Sequence, residues 1–423
     1  MTVQIRSYTA EDRNAETIGL RLAEQIRSQA SEPLSALLVC ASLGTNTIVL
    51  RNVLNGQFPS TPMLGTTSFL GVGSNKGYCP SPCASILAFY GNDAHFGTGF
   101  SAAASEQPFS QGEQMAQGAL NRCGIPAAAA RFAILFSAPG DESALLDGIY
   151  SVLPKKMPIV GGGIAGAEFP GDWRVWSEHH IGNQSAVLMV CDWPFELEAH
   201  FEGGYLKSGP SGIATQVENN RVIKTIDNRP AAEVYNEWMN GALSDKLEGG
   251  SILVESSLKP LGVATQMEGG FTTFFLLHPK EILPDKSIEL FASIQQGEEV
   301  HLMFSQKASL IKRTKRLAKT GIARGSFEAD ELIGALLIYC AGSLAVIEDN
   351  ADALLDNFKE ECAAPFIAGF TFGEVGCVQP GVYGHGNLMA GALFLSSRPR
   401  RWLSDVPFSP ISSQNTSGPP PSI

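Results

Sequence analysis

SALLVCAS, residues Ser35–Ser42, is an apolar run without the alternation of a half-exposed strand, so it reads as a strand buried on both faces. An amphipathic stretch follows (TNTIVLRNVLNG, 45–56). Then come PMLGTTSFLGVG from Pro62, laden with Gly and Thr, and CASILAFYG (83–91). The same order returns twice. The second copy is RFAILFSAPG (131–140), DESALLDGIYSVLP, PIVGGGIAGA from Pro158 and QSAVLMVCD (184–192). The third is GALLIYCAG (334–342), DNADALLDNFKEEC, PFIAGFTFGEVG from Pro365 and NLMAGALFLSS from Asn387. Each copy reads strand, helix, Pro-started strand, hairpin, strand. A supersecondary unit that recurs in this way is an internal repeat. A strand followed by a helix and a second strand implies a right-handed parallel crossover. The last strand adds an antiparallel partner, so the class is α/β (α+β), mixed sheets with crossover helices alongside. Asp141 and Asn350 stand where a side-chain oxygen can cap a helix start.

Between the second and third copies the period changes. RVIKTI, FTTFFLLH, SIELFASI and EEVHLMF alternate every second residue, the mark of antiparallel strands with one solvated face. A short helix, RPAAEVYNEWMN, is expected after Asp227 and Asn228. The division expected is a duplicated α/β domain over 1–195 and an α+β domain over 196–403 that joins the antiparallel strands to the third copy. A Ser/Pro-rich tail over 404–423 buries too little apolar surface to order itself.

Bulk properties narrow the function. The chain has 423 residues, 44% apolar and 17% charged, enough for two or three domains with full cores. Net charge is -12, which disfavours nucleic acid and anionic membranes, since both need Lys and Arg. The densest basic run, KASLIKRTKRLAKTGIAR (307–324), carries apolar residues at helical spacing and reads as a surface helix. No apolar run is long enough to span a bilayer and none at the N-terminus resembles a signal peptide, so membrane insertion is not expected. Eight cysteines without a C-x-x-C pair fit a cytoplasmic protein with reduced thiols.

Candidate site residues cluster in the later repeats. Gly162 and Gly163, in VGGGIAGAEF, permit close backbone approach to a ligand or to a neighbouring strand; the segment is neither a dinucleotide nor a P-loop fingerprint. Phe372, Gly373 and Glu374 occupy the equivalent stretch of the third copy, where a lone carboxylate among apolar residues requires a partner or a ligand ammonium. His385 and Asn387 follow in GVYGHGNLM, and Cys340 and Ser343 end a strand where a helix N-terminus can act on a thiol. His179 and His180, read as strand residues, point to opposite faces and do not chelate together. The Gly-rich strands of the second and third copies are expected to line an interdomain cleft for a small polar metabolite, with Glu374 and the His385 segment supplying polar contacts. No nucleophile-elbow, zincin or β-lactamase signature is present, so an enzyme is not expected, although one using the same cleft is a third reading.

These segments, in this order over about residues 30–400, resemble the FIST family, with its N-terminal and C-terminal FIST domains. The resemblance is carried by PIVGGGIAGAEF, RVIKTIDNRPAAEVYNEWM, PLGVATQ, SIQQGEEVHLM, ALLIYCAG, PFIAGFTFGEVG and the His-Asn segment before ALFLSS. It implies a bacterial sensory protein that binds a small molecule, with amino acids suggested as ligands, and that acts on a separate partner such as a histidine kinase. Some relatives resemble nitric-oxide-sensing haem proteins. Hence the second reading, a non-covalent haem on His385, with His179 or His180 as alternative ligands. Two departures stand out: the family's Cys-x-Gly-Arg is here Cys340-Ala341-Gly342-Ser343, and its His-Asn pair is split by Gly386.

Overall fold

The structure, a computed structural model, describes residues 3–101, 107–164 and 173–400. The proposed tail (404–423) and Ala165–Phe169 of the Gly-rich segment lie outside them. The first repeat comprises β1 (Gln4–Glu11), α1 (Ala15–Ser28), β2 (Leu34–Ser42), α2 (Thr47–Gln57), β3 (Met63–Ser68), the hairpin β4 (Gly71–Ser74) and β5 (Gly77–Pro80), and β6 (Cys83–Tyr90). The second comprises β7 (His95–Ser101), α3 (Pro108–Cys123), β8 (Phe132–Ser137), α4 (Glu142–Val152), β9 (Ile159–Gly163), the hairpin β10 (Val175–Ser177) and β11 (Ile181–Gly182), and β12 (Ala186–Asp192). Each repeat therefore begins one strand and one helix earlier than its sequence motif.

The third repeat starts with β13 (Phe195–Glu202) and is then interrupted. Inserted are β14 (Leu206–Glu218), β15 (Val222–Ile226), β16 (Arg229–Pro230), α5 (Ala231–Trp238), β17 (Gly250–Ser251), α6 (Leu253–Ser256), β18 (Leu261–Gln266), β19 (Thr272–Leu277), β20 (Pro279–Ile282), β21 (Ile288–Leu290) and β22 (Glu299–Phe304). The repeat resumes with α7 (Lys307–Arg324), β23 (Leu332–Cys340), α8 (Ala341–Ile347), α9 (Ala351–Lys359), β24 (Phe366–Thr371), the hairpin β25 (Glu374–Gln379) and β26 (Val382–Gly386), and β27 (Ala390–Pro399).

Each repeat contributes a parallel pair, β2 with β3, β8 with β9 and β23 with β24, flanked by an antiparallel last strand. The hairpins do not stay at home. β4–β5 of the first repeat joins the sheet of the third, β10–β11 of the second joins the first, and β25–β26 of the third joins the second. Three six-stranded sheets with the same order result, tied in a ring by exchanged hairpins. Period-two alternation explains the packing. Leu38, Ile134, Ile338 and their like face one core shared by all three sheets. Leu37, Leu135 and Leu337, one residue away, face the outer helices of their own repeat. The inserted strands form a separate nine-stranded antiparallel sheet with its own core.

Local chemistry accounts for the boundaries. The Asp141 side chain accepts from Ala144 N (3.0 Å) and that of Asn46 from Val49 N (3.2 Å), capping α4 and α2. Four sequence expectations need correction. Asn350 precedes α9 but gives it no capping bond, because α8 follows Cys340 directly and a 3-10 turn delivers the chain into α9 already coiled. Asp227 and Asn228 do not begin the helix; both adopt left-handed φ (50° and 61°) in the turn between β15 and β16, and α5 starts after Pro230. His179 and His180 lie in the β10–β11 turn, not in a strand. The Gly-rich strands expected to line a cleft are hydrogen-bonded neighbours, with Glu374 opposite Gly162. A Cβ at Gly161 would meet Leu135 O at 1.7 Å and one at Gly162 would meet Gly373 O at 2.5 Å, so the glycines serve strand approach. The basic run is α7. It buries Leu310, Arg313 and Leu317, and its outer charges pair internally, Arg316 with Glu202 at 2.7 Å and Arg324 with Glu198 at 3.3 Å.

Candidate functional site

Ligands of open α/β sheets gather beyond the carboxyl ends of parallel strands. Three cavities lie at the three equivalent strand ends. Beyond β2 is a cleft of about 280 Å³ lined by Thr45, Asn46, Thr47, Thr67 and Arg174. Beyond β8 is one of about 260 Å³ lined by Ser137, Asp141, Glu142 and Ser185. Beyond β23 is the largest, about 410 Å³, and its walls are mostly apolar.

That third cavity draws on three parts of the fold. Cys340, Ala341, Gly342, Phe372, Gly373 and Asn387 come from the third repeat. Leu253, Ser257, His278 and Phe291 come from the inserted region, and Phe69 from the exchanged hairpin of the first repeat. Phe69 and Phe372 pack ring to ring at 5.5 Å. Lys307, exposed at the start of α7, stands on its rim. His278 is buried, and its Nε2 sits 3.2 Å from Ser257 Oγ and 3.1 Å from Leu253 O. Burial lowers its pKa to about 4, so it is neutral near pH 7. Asn387 Oδ1 accepts from His278 N (3.2 Å), joining the repeat to the insertion.

Beneath the cavity lies a buried polar cluster. Cys340 Sγ takes the N–H of Leu388 at 3.3 Å, and desolvation raises its pKa to about 12. The Glu374 carboxyl accepts from the Thr371 hydroxyl (2.9 Å) and from Met389 N (2.9 Å). Burial pushes its pKa up to about 8, against the pull of those bonds and of Arg313. Arg313 is also fully buried. Its Nη1 donates to Gly203 O and Leu388 O, both at 2.6 Å, and its guanidinium lies 4.3 Å from the centre of the Tyr339 ring. Ser343 is buried beside the Tyr205 hydroxyl.

Cys340, Phe372, Gly373 and Asn387 thus share a cavity wall, as one site. Glu374 and Ser343 support that wall from behind. Gly162 and Gly163 lie on the adjoining strand, outside the lining. His385 is directed elsewhere. Its Nδ1 faces Glu142 at 3.8 Å, and Glu142 binds Arg221 at 2.7 Å, a latch between the third repeat's hairpin, α4 and the insertion. His385 Nε2 has no hydrogen-bond partner among the described residues, and a Cβ built on Gly373 would approach it to 2.3 Å. This packing does not fit a haem, whose iron needs that nitrogen clear. His179 and His180 are exposed, His180 stacking on Phe100 at 4.9 Å, and neither is enclosed. Phe69, His278, Phe291 and Lys307 also line the cavity, and no motif in the sequence marks them. His278 ends the apolar run FTTFFLLH, where a buried His reads as structural, and only the placement of the insertion reveals what it faces.

Two family models match the chain, the FIST N domain over residues 35–229 and the FIST C domain over 231–377. Curated protein sequences gave no match. Among solved structures, cyanuric acid hydrolase from A. caulinodans is 8% identical and aligns 94% of this chain with 100% of its own at a TM-score of 0.39. A second structure of cyanuric acid hydrolase is 9% identical over 94% and 100%, with a TM-score of 0.35. Phosphoribosylformylglycinamidine synthase II from Thermotoga maritima is 10% identical over 93% and 72%, with a TM-score of 0.22. Likenesses this slight carry no information about this chain's chemistry. With its two domain models spanning residues 35–377 in the family's order, the chain belongs to the FIST family, whose domains are recognised as sensory domains.

Proposed function

We propose that this protein is a non-enzymatic sensor that binds a small molecule in the cavity beyond β23 and reports to a separate signalling protein, such as a histidine kinase, in the cytoplasm. The observation that carries the reading is the composition of that cavity, a mostly apolar chamber walled jointly by the third repeat, the insertion and the first repeat's hairpin. Junctions of this kind favour ligands and let a ligand bias one relative placement of the parts over another. The eight cysteines are free thiols, in keeping with a reducing compartment. Among the described residues no helix is long and apolar enough to cross a membrane.

The ligand class follows from the walls. Glu374, expected to receive an ammonium group, has both oxygens engaged and stands behind the lining. The aromatic walls favour an apolar body, with Asn387, His278 and Lys307 left for its polar end. This supports a small metabolite with a hydrophobic side over a strongly polar amino acid. The test is calorimetry on a panel of aromatic and branched-chain acids, alcohols and amino acids, repeated on Ala345→Trp, which sets an indole on a residue that lines the cavity mouth. At least one compound should bind the native chain, and Ala345→Trp should weaken it by ~100-fold or more while the far-ultraviolet dichroism stays unchanged. Equal affinity in Ala345→Trp would sink the proposed site.

A further inference from the structure

Cys79 lies on β5, the outer strand of the third repeat's sheet, and Cys83 opens β6 in the first repeat's sheet. The chain returns between them through Pro80, Ser81 and Pro82, which brings the two side chains together. Cys83 Sγ is 2.9 Å from the carbonyl oxygen of Cys79, and the two thiols lie within hydrogen-bond reach of each other. Cys79 Sγ is 3.6 Å from the Glu11 carboxylate. Cys79 is half-buried, whereas Cys83 and the other six cysteines are buried. Solvent thus reaches one member of a thiol pair whose second member waits behind it.

We propose that Cys79 and Cys83 are a redox-active dithiol that a hydroperoxide converts into a disulfide, fastening the exchanged hairpin to the sheet of its own repeat. The step balances. Cys79 gives its proton to Glu11 and its sulfur attacks the outer oxygen of the hydroperoxide. The O–O bond breaks, and the leaving alkoxide takes that proton and departs as an alcohol. Cys79, oxidised by two electrons, is then a sulfenic acid. The Cys83 sulfur attacks it, the S–S bond forms and the S–O bond breaks, and hydroxide leaves with the Cys83 proton as water. The hydrogen bond from Cys79, together with bonds from Ser42 and the Val72 backbone, lowers the Cys83 pKa, as suits the second, resolving thiol. The bridge would act near the cavity, because Phe69 stands at the base of the same hairpin, its N–H bonded to Phe370 O at 3.0 Å.

The experiment treats the full chain with tert-butyl hydroperoxide, denatures it, alkylates free thiols and measures intact mass. The untreated chain should take eight alkyl groups and the oxidised chain two fewer, reversed by dithiothreitol. Cys79→Ser, at a half-exposed site, should take seven with or without peroxide, whereas Cys83→Ser should take seven untreated and six after peroxide, with oxygen added at Cys79 because no thiol resolves its sulfenic acid. Loss of two alkylation sites that persists in Cys79→Ser would overturn the assignment. So would oxygen addition at Cys79 with Cys83 still alkylated, or a disulfide-linked dimer in place of the internal bridge.

Discussion

The ends of β2 and β23 occupy equivalent positions, yet they are built differently. At the first, Ser42 Oγ donates to Cys83 O and accepts from Cys83 N (2.8 Å), so a hydroxyl ties the parallel pair to its antiparallel neighbour. A turn follows, and Asn46 caps α2. At the third, a thiol replaces the hydroxyl, α8 begins at once, and a buried guanidinium and a buried carboxyl lie underneath. The first end opens on a small polar cleft and the third on a larger apolar chamber. The difference follows the insertion, which interrupts only the third repeat and lays Leu253, His278 and Phe291 against its strand end. One scaffold, used three times, becomes a chamber where a second domain closes over it.

The sharpest way to break this contrast is to remove the charge that only the third end contains. Arg313→Met keeps volume but leaves Gly203 O and Leu388 O without their donor and Glu374 without its nearby cation. A buried group stripped of its partner costs several kcal/mol, so urea unfolding should show a loss of about 3 kcal/mol. A change below about 1 kcal/mol would mean that backbone rearrangement or water replaces the guanidinium and that the cluster is not integral to this strand end.

Glu374→Gln tests the other half of the cluster. Burial raises the carboxyl from 4.5 to about 8, so the folded chain keeps a proton that the unfolded chain releases. Its contribution is fully present below about pH 4.5 and is lost as pH rises toward 8. His278 has the opposite sign. With its pKa lowered from 6.5 to about 4, it costs stability as pH falls through that window and leaves the alkaline side clean. Between pH 5 and 9 the native chain should lose about 2–4 kcal/mol more than Glu374→Gln does. Parallel stability curves for the two proteins would show that Glu374 titrates normally.

How much of this was legible beforehand depended on range. The three motifs, their strand–helix–strand order and the cap at Asp141 are local, written in consecutive residues, and the structure reproduces them. The leading strand of each repeat, and the leading helix of the first two, escaped because QIRSYTAE and HFGTGFS lack the long apolar runs that mark doubly buried strands, whereas the leading helix of the third is the basic run 307–324. The hairpin exchange is not visible in any single segment, since β4, β10 and β25 would look the same in either sheet. At the cavity, Cys340, Phe372, Gly373 and Asn387 stand out in the sequence because they lie at the ends of repeated strands. His278 and Phe291 were not, because their facing depends on how a separate sheet docks.

The smallest expected effect separates the helix starts of the repeats. Asn46 and Asp141 each satisfy a backbone donor of the first turn, at 3.2 and 3.0 Å, so Asn46→Ala and Asp141→Ala should each cost about 1 kcal/mol. Asn350 stands at the matching place in the third repeat without such a bond, and Asn350→Ala should fall within about 0.5 kcal/mol of the native chain. The three variants, compared by urea unfolding, ask whether the third crossover has given up its capped start for the direct α8 entry that sets Ala341 and Gly342 on the cavity wall. A full capping loss at Asn350 would show that the third repeat starts its helix as the others do, and that the insertion alone makes the chamber.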